Sequence, residues 1–181
     1  MNTRKNELGS AIKVLQARKA VSDKPRPVKL YDKTHYLVVD IAGMSGIQNL
    51  LTEETKRKLG ICTFDGKQLS SGRTLVIDSV RTQATKAVRA EIATWNDTSL
   101  LPGEIQGAQI RMSQGDDLLL DLPVADTADL KFDDYRAISS TPCVKPKQDI
   151  DFIIEFPAGV TVPNLKSIFV KFSFRCTEAK Q

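Results

Sequence analysis

The residue types that could carry out catalysis are few in this sequence. Its single histidine, His35, stands beside Tyr36 just before an apolar run, where a strand-edge role is more typical than that of a general base. Ser45 lies in Met-Ser-Gly, which lacks the first glycine of a nucleophile elbow. The motifs GxGxxG, GxxxxGK[ST] and HExxH do not occur. The sequence therefore predicts a protein with no catalytic residues, no cofactor and no small-molecule substrate.

Acidic residues concentrate in one stretch, where oxygen ligands could bind calcium. The stretch contains Asp116, Asp117, Asp121, Asp126, Asp129, Asp133 and Asp134. Their spacing does not match an EF-hand loop, so a site would have to be assembled from separate loops. Solvated strand ends and turns account for most of these aspartates. We predict no metal site, with bound calcium as the open alternative.

The cysteines and the lengths of the apolar runs indicate the cellular compartment in which the protein is made. Cys62, Cys143 and Cys176 are odd in number, far apart and without CxxC spacing, which argues against a disulfide framework or a zinc site. No apolar run approaches the roughly 20 residues needed to span a bilayer, and the charged first residues do not resemble a secretory signal. We expect synthesis in a reducing compartment.

Positive charge is concentrated at the N-terminus. The first 30 residues hold eight basic residues and two acidic ones, whereas residues 31–181 hold 18 basic and 20 acidic ones. This pattern predicts a basic arm, residues 1–30, attached to a near-neutral body, residues 31–181. The arm residues expected to contact nucleic acid or a membrane are Arg4, Lys5, Lys13, Arg18, Lys19, Lys24 and Arg26.

The arm also has an apolar face. Leu8, Ile12 and Leu15 recur at helical spacing, which predicts a short amphipathic helix over residues 7–20, followed by a proline hinge at residues 24–27. Three interpretations stay open: a disordered solubilising tail, neutralisation of nucleic-acid phosphates, or binding to an anionic lipid surface or a neighbouring subunit through the apolar face. The arm lacks aromatic residues, which disfavours base stacking.

The clearest strand pattern, around which the other elements must be arranged, lies in residues 149–177. Two runs alternate apolar and polar residues, and a loop with two prolines and a glycine, residues 157–164, separates them. The alternating apolar residues are Ile150, Phe152, Ile154 and Phe156 in the first run and Val170, Phe172, Phe174 and Cys176 in the second. Such alternation predicts two antiparallel-type strands, each with one buried face.

Six further strands are predicted, together with one inserted helix. The strands are at residues 36–41, 61–64, 74–82, 88–93, 108–113 and 117–122, and a short strand or turn is possible within 132–138. A helix is predicted over residues 47–59, because its acidic residues come first, its basic residues last, and Gly60 follows. The predicted fold is all-β: an antiparallel, eight-stranded jelly roll or β-sandwich with an N-terminal arm and one short inserted helix.

This arrangement resembles the single jelly-roll capsid proteins of icosahedral viruses. The phrase Gly-Lys-Gln-Leu-Ser-Ser-Gly-Arg-Thr-Leu-Val-Ile, residues 66–77, looks like the start of an early barrel strand. The phrase Phe-Pro-Ala-Gly-Val-Thr-Val-Pro, residues 156–163, is similar to the loop before the last strand in capsid proteins of tailless, often membrane-containing bacteriophages. The resemblance covers the body from about residue 31 onward.

The resemblance implies a virion structural protein, assembled in the host cytoplasm, that forms or decorates an icosahedral shell by self-association. Its partners would be further copies of the chain, other virion proteins, and nucleic acid or an internal membrane bound through the arm. Leu8, Ile12, Leu15 and Trp95 are the candidate subunit contacts, with the loops 95–107 and 124–147. The alternative function is a non-catalytic β-sandwich module that binds nucleic acid or carbohydrate as a discrete oligomer.

Overall fold

The strands pair into two antiparallel sheets. The computed structural model describes residues 2–19, 27–95, 101–128 and 135–181. In chain order its elements are α1 (Asn2–Lys19), β1 (Lys29–Asp40), β2 (Ile47–Asn49), β3 (Arg73–Thr85), the 3₁₀ turn η1 (Ala90–Ile92), α2 (Gly103–Gln106), β4 (Gln109–Gln114), β5 (Asp117–Pro123), α3 (Ala125–Ala128), β6 (Arg136–Ala137), β7 (Cys143–Val144), β8 (Asp151–Glu155) and β9 (Phe169–Lys180). One sheet has the order β1-β9-β3-β6, with β7 also paired to β3, and the other has the order β2-β8-β4-β5. The predicted all-β sandwich is confirmed.

The core lies between the inward faces of the two sheets. Phe152 of β8 makes edge contacts with Phe172 and Phe174 of β9, at ring-centroid distances of 5.3 and 5.5 Å. All three rings are at most 1% exposed. The inward faces predicted for these two strands are therefore confirmed, and aromatic packing across the sandwich joins the sheets.

Strand β9 is paired along both edges. It pairs antiparallel with β1 from Phe169 opposite Asp40 to Lys180 opposite Lys29, and with β3 over the same length. The register with β3 shifts between Ile77 and Ser79. This bulge leaves Asp78 without a partner on β9 and turns its side chain toward the outer face of the sheet.

The predicted helix over residues 47–59 is wrong. Residues 47–49 form β2, which pairs antiparallel with β8, and the Leu50 amide donates to the Phe152 carbonyl at 2.8 Å. Leu50 and Leu51, which begin the helical pattern, are both buried in the core. Sheet pairing and the burial of two successive leucines outweigh the helix propensity of the charged residues that follow, and those residues form turns.

The predicted strand over residues 88–93 is also wrong. Val88 is 89% exposed and Ile92 is 70% exposed, and the segment contains η1. Strand β3 ends at Thr85, opposite Phe169, where β9 begins, so the sheet offers no further pairing partner there. Val88 and Ile92 alternate with charged residues in this segment, but no described part of the chain buries them.

The described residues contain nine strands where the sequence predicts eight. Six of the predicted strands are present, as β1, β3, β4, β5, β8 and β9. The other three, β2, β6 and β7, are only two or three residues long and are not among the eight. Residues 61–64, predicted as a strand, run beside β1 and form only isolated bridges, from Cys62 to Leu37 of β1 and to Lys58. Of the possible strand within 132–138, the structure shows β6, and residues 132–134 lie outside the described part.

Replacing Phe172 by Ala should cost about 3 to 5 kcal/mol of unfolding free energy, because it opens a cavity beside Phe152 in a fully buried site. Denaturant unfolding measures the change. Leu165→Ala is the control, since Leu165 is 92% exposed and should lose less than about 0.5 kcal/mol. A loss at Phe172 below about 1 kcal/mol would contradict its place in the core.

Candidate functional site

Helix α1 lies on the outer face of the five-stranded sheet, against β3, β9 and β7. Ala11 and Leu15 on the helix are fully buried, as are Val76 of β3 and Ala179 of β9. None of these four residues belongs to the core between the sheets. They form a second, small apolar contact, because one stripe of the helix covers residues that would otherwise face water.

An ion pair fixes the N-terminal end of α1 on this face. The guanidinium of Arg4 lies 3.0 Å from the Asp78 carboxylate and donates a hydrogen bond to Thr177 Oγ1 at 2.9 Å. Thr177 in turn donates to Asp78 at 3.2 Å. Burial raises the pKa of Asp78, while Arg4 and Thr177 act in the opposite direction. The bulge in β3 thus places the Asp78 carboxylate where Arg4 of α1 can form an ion pair with it.

The structure separates the predicted arm residues into groups. Arg4 contacts the chain's own sheet, whereas Lys5 and Lys13 are exposed to solvent. The side chains of Arg18 and Lys19, and residues Lys24 and Arg26, lie outside the described part of the chain. Among the apolar residues, Leu15 is covered by the sheet, and Leu8 and Ile12 are half-buried. Contacts of these residues with another molecule stay a prediction.

Aromatic and cationic side chains share the rest of the outer face. The Lys171 ammonium lies 5.0 Å from the centroid of the Tyr36 ring and 5.5 Å from that of Trp95. The Arg175 guanidinium stacks 3.9 Å above the Tyr135 ring. Burial, followed by the nearby Arg81, lowers the pKa of Lys171. We call Tyr36, Trp95, Tyr135, Lys171 and Arg175 the cationic-aromatic face.

Sequence spacing does not reveal this face, because its residues come from four separate segments. The alternation in β9 predicts one buried face, and Lys171 and Arg175 lie on the opposite face. The rings that these cations contact could not be assigned without the strand order. Trp95, a predicted subunit contact, is half-buried, and its carbonyl accepts a hydrogen bond from the Gln83 side chain.

Three exposed apolar residues lie in two segments that one surface ion pair connects. Lys58 and Glu91 form an ion pair at 2.7 Å, which joins the turns after β2 to η1. Leu59 follows Lys58 in the sequence, Ile92 follows Glu91, and Val88 precedes η1. These three side chains, which we call the loop patch, are 70 to 89% exposed. Apolar clusters with a charged border are typical of protein interaction sites.

A buried charged cluster closes one end of the core. The Glu178 carboxylate accepts hydrogen bonds from Arg73 at 2.6 and 3.0 Å and from Lys33 at 2.8 Å. Burial alone would raise the pKa of Glu178, but these bonds outweigh it and lower the pKa to about 2. His35 is 1% exposed, and its Nδ1 lies 3.1 Å from Thr63 Oγ1. Burial, followed by the charge of Lys33, lowers the pKa of His35 to about 4.

Within the described ranges, no group of three or more histidine, cysteine, aspartate or glutamate residues could hold a metal ion. Three aspartates of the acidic stretch form ion pairs instead: Asp117 with Lys145, Asp121 with Arg111 and Asp126 with Arg136. Asp129, Asp133 and Asp134 lie outside the described residues. None of the described helices is long and apolar enough to span a bilayer.

Comparison with known proteins gives a structural similarity of low score and no match by sequence. No protein-family model matches the sequence, and no curated protein matches it. Among solved structures, the decameric BFDV capsid protein is similar at a TM-score of 0.34 and 9% sequence identity, over 86% of this chain and 100% of that one. Values this low carry no argument about function, which therefore depends on the chain's own geometry.

Replacing Leu15 by Ala should release α1 from the sheet, because Leu15 supplies the largest buried side chain of the helix contact. Amide hydrogen exchange should show loss of protection in residues 2–19, with protection in β3 and β9 retained. Lys13→Ala, an exposed helix position, is the matched control and should leave exchange unchanged. Equal protection of α1 in both variants would contradict the docking.

Stability should fall as the pH decreases through the titration range of His35. The unfolded chain takes up the imidazole proton near pH 6.5, whereas the folded chain does so only near pH 4, so protonation favours unfolding between these values by up to about 3 kcal/mol. Burial is the largest cause of the lowered pKa of His35. The charges of Lys33, Arg73 and Arg57 lower it further, and Glu178 acts in the opposite direction.

His35→Gln should flatten the unfolding free energy between pH 6.5 and 5, because glutamine does not titrate. This window excludes Glu178, whose stabilising contribution is lost only below its ordinary pKa of 4.5. Urea unfolding at half-unit pH steps measures the slope. Identical slopes in the variant and the unchanged protein would show that His35 does not carry the effect.

Proposed function

We propose that this chain is a virion structural protein that self-associates into a closed icosahedral shell, with its arm side facing nucleic acid. The observation that carries the proposal is the loop patch. Leu59, Val88 and Ile92 are exposed in two segments that the Lys58–Glu91 ion pair connects. Exposed apolar residues with a charged border suit contact with a second copy of the chain.

The edges of the sheets also favour assembly. The described edge strands carry exposed apolar residues: Leu30 and Tyr31 on β1, Ile47 on β2 and Leu118 on β5. Exposed strand edges are ready to pair with other chains, and in the described chain residues 61–64 hydrogen-bond only to the part of the twelve-residue β1 around Leu37. Different patches at opposite rims allow heterologous contacts, which close into rings or shells when the rotation between copies permits.

The outer face of the five-stranded sheet is the side best suited to nucleic acid. Exposed Lys5 and Lys13 of α1 lie on the same side of the sheet as Lys171 and Arg175. Lysine and arginine contacts neutralise phosphates without reading sequence, as packaging requires. An internal membrane is a weaker candidate, because insertion needs an exposed apolar helix face and Leu15 is covered by the sheet.

A second candidate function is a nucleic-acid-binding module that acts as a discrete species. The cationic-aromatic face favours it, because aromatic rings beside cations can stack with single-stranded bases, and Tyr36, Trp95 and Tyr135 are each only half-buried. Tyr36 and Trp95 lie on either side of Lys171 in this way. A monomer whose affinity for a single-stranded oligonucleotide falls on Tyr36→Ala would favour the module over the shell protein.

The purified full-length protein should form oligomers or closed particles, detected by light scattering and electron microscopy. Ile92→Ser and Leu59→Ser should each raise the concentration needed for assembly about tenfold, because each removes roughly 1.5 kcal/mol or more of apolar burial at a contact. Both positions are exposed, so the fold should be preserved.

Leu165→Ser is the control for these variants, since Leu165 is 92% exposed and lies outside the loop patch and the edge strands. Its assembly should match that of the unchanged protein. A strict monomer at every concentration, with and without nucleic acid, would contradict the proposal. An equal effect of all three substitutions would contradict the role of the loop patch.

A further inference from the structure

A basic cleft opens beside the buried charged cluster, at the end of the sandwich where β3 begins. Its volume is about 380 Å³, within the range of small-ligand sites. It is lined by Lys33, His35, Arg57, Thr63, Phe64, Asp65, Gln68, Leu69, Ser70, Ser71, Arg73 and Lys147. Four cations and one carboxylate thus surround one concave space, which gives it a net positive charge.

Two of the four cations are not neutralised by the protein. Lys33 and Arg73 both bind Glu178, as described above. Arg57 and Lys147, in contrast, form no ion pair with any residue in the described ranges. The backbone holds Lys147 in place, since its amide donates to the Leu69 carbonyl at 2.9 Å and its φ is +59°. Positive charge in the cleft therefore exceeds what Glu178 and Asp65 can balance.

An unpartnered buried atom adds a second, independent sign of a ligand. Nε2 of His35 is buried and has no hydrogen-bond partner among the described residues. The nearest charged oxygen, Oε2 of Glu178, is 4.0 Å away, which is too far for a hydrogen bond. Because Thr63 Oγ1 donates to the Tyr36 carbonyl, His35 Nδ1 carries the ring proton and Nε2 is a hydrogen-bond acceptor. A buried acceptor without a partner costs stability, and a P–OH group of a protonated phosphate in the cleft would supply the donor.

We propose that this cleft binds a phosphate group, held by Arg57, Lys147 and Arg73. A phosphate presents several oxygens to cations and to the hydroxyls of Ser70 and Ser71 at the mouth, and the Arg57 guanidinium can bind two of them at once. The group could belong to a free phosphate or nucleotide, or to the backbone of a nucleic acid. This inference does not depend on shell assembly.

Binding is tested on the full-length protein with inorganic pyrophosphate, by calorimetry at constant ionic strength, and with a labelled single-stranded oligonucleotide, by fluorescence anisotropy. Arg57→Gln and Lys147→Asn should each weaken binding about tenfold, because each removes one charge-assisted contact. Asparagine is chosen at position 147 because it tolerates a positive φ. Both side chains are exposed, so both variants should fold.

Lys86→Gln is the matched control, with the same change of charge. Lys86 follows the far end of β3, about 40 Å from Arg73 at roughly 3.3 Å per residue. Pyrophosphate binding that only the two cleft variants weaken would support a site for free phosphates. Oligonucleotide binding with the same pattern, without pyrophosphate binding, would support a backbone phosphate.

Absence of saturable binding by both probes would overturn the proposal. An equal loss of affinity in all three variants would overturn it too, because it would indicate general electrostatic attraction. Neither readout measures assembly, so phosphate binding by a monomer would support this cleft while contradicting the shell function.

Discussion

The position of β9 between β1 and β3 is the constraint on which the rest of the structure depends. Both of its edges are paired over twelve residues, so its register fixes which side chains point inward and which point outward. Phe172 and Phe174 point inward to Phe152, whereas Lys171 and Arg175 point outward to Tyr36 and Tyr135. A slip by one residue would exchange the two sets and place charges in the core.

Sequence periodicity predicts the parts of the fold in which one face is buried in the core. The strands at residues 150–156 and 170–176 follow this rule, and so does β4, whereas in β5 a register shift leaves Leu118 exposed and Leu119 buried. The rule fails at residues 47–59 and 88–93, because partner availability decides the outcome there. Leu50 is drawn into a sheet that the sequence pattern does not reveal, and Val88 has no sheet left to join.

The surfaces were harder to predict than the core, for a related reason. The docking of α1 had one sequence signal: the unbroken apolar run Leu75, Val76, Ile77, which is typical of a strand covered on both faces. The cleft had none, since Lys33, Arg57, Arg73 and Lys147 are spread over more than 100 residues and meet only through the sheet order. Spacing along the chain cannot identify such a constellation.

Two neighbouring residues near the end of β9 connect the surface of α1 to the cleft. Thr177 points outward and accepts a hydrogen bond from Arg4, while Glu178 points inward and binds Arg73 and Lys33. Because successive side chains of a strand face opposite sides, one short segment orients the arm helix on one face and the cations of the cleft on the other. A change that displaces this segment therefore disturbs both surfaces together, whereas a substitution at the tip of Arg57 or Lys13 alters only one. Both the α1 side of the sheet and the cleft are positively charged, and β9 fixes the distance between them. A ligand that contacts both surfaces must therefore match that distance.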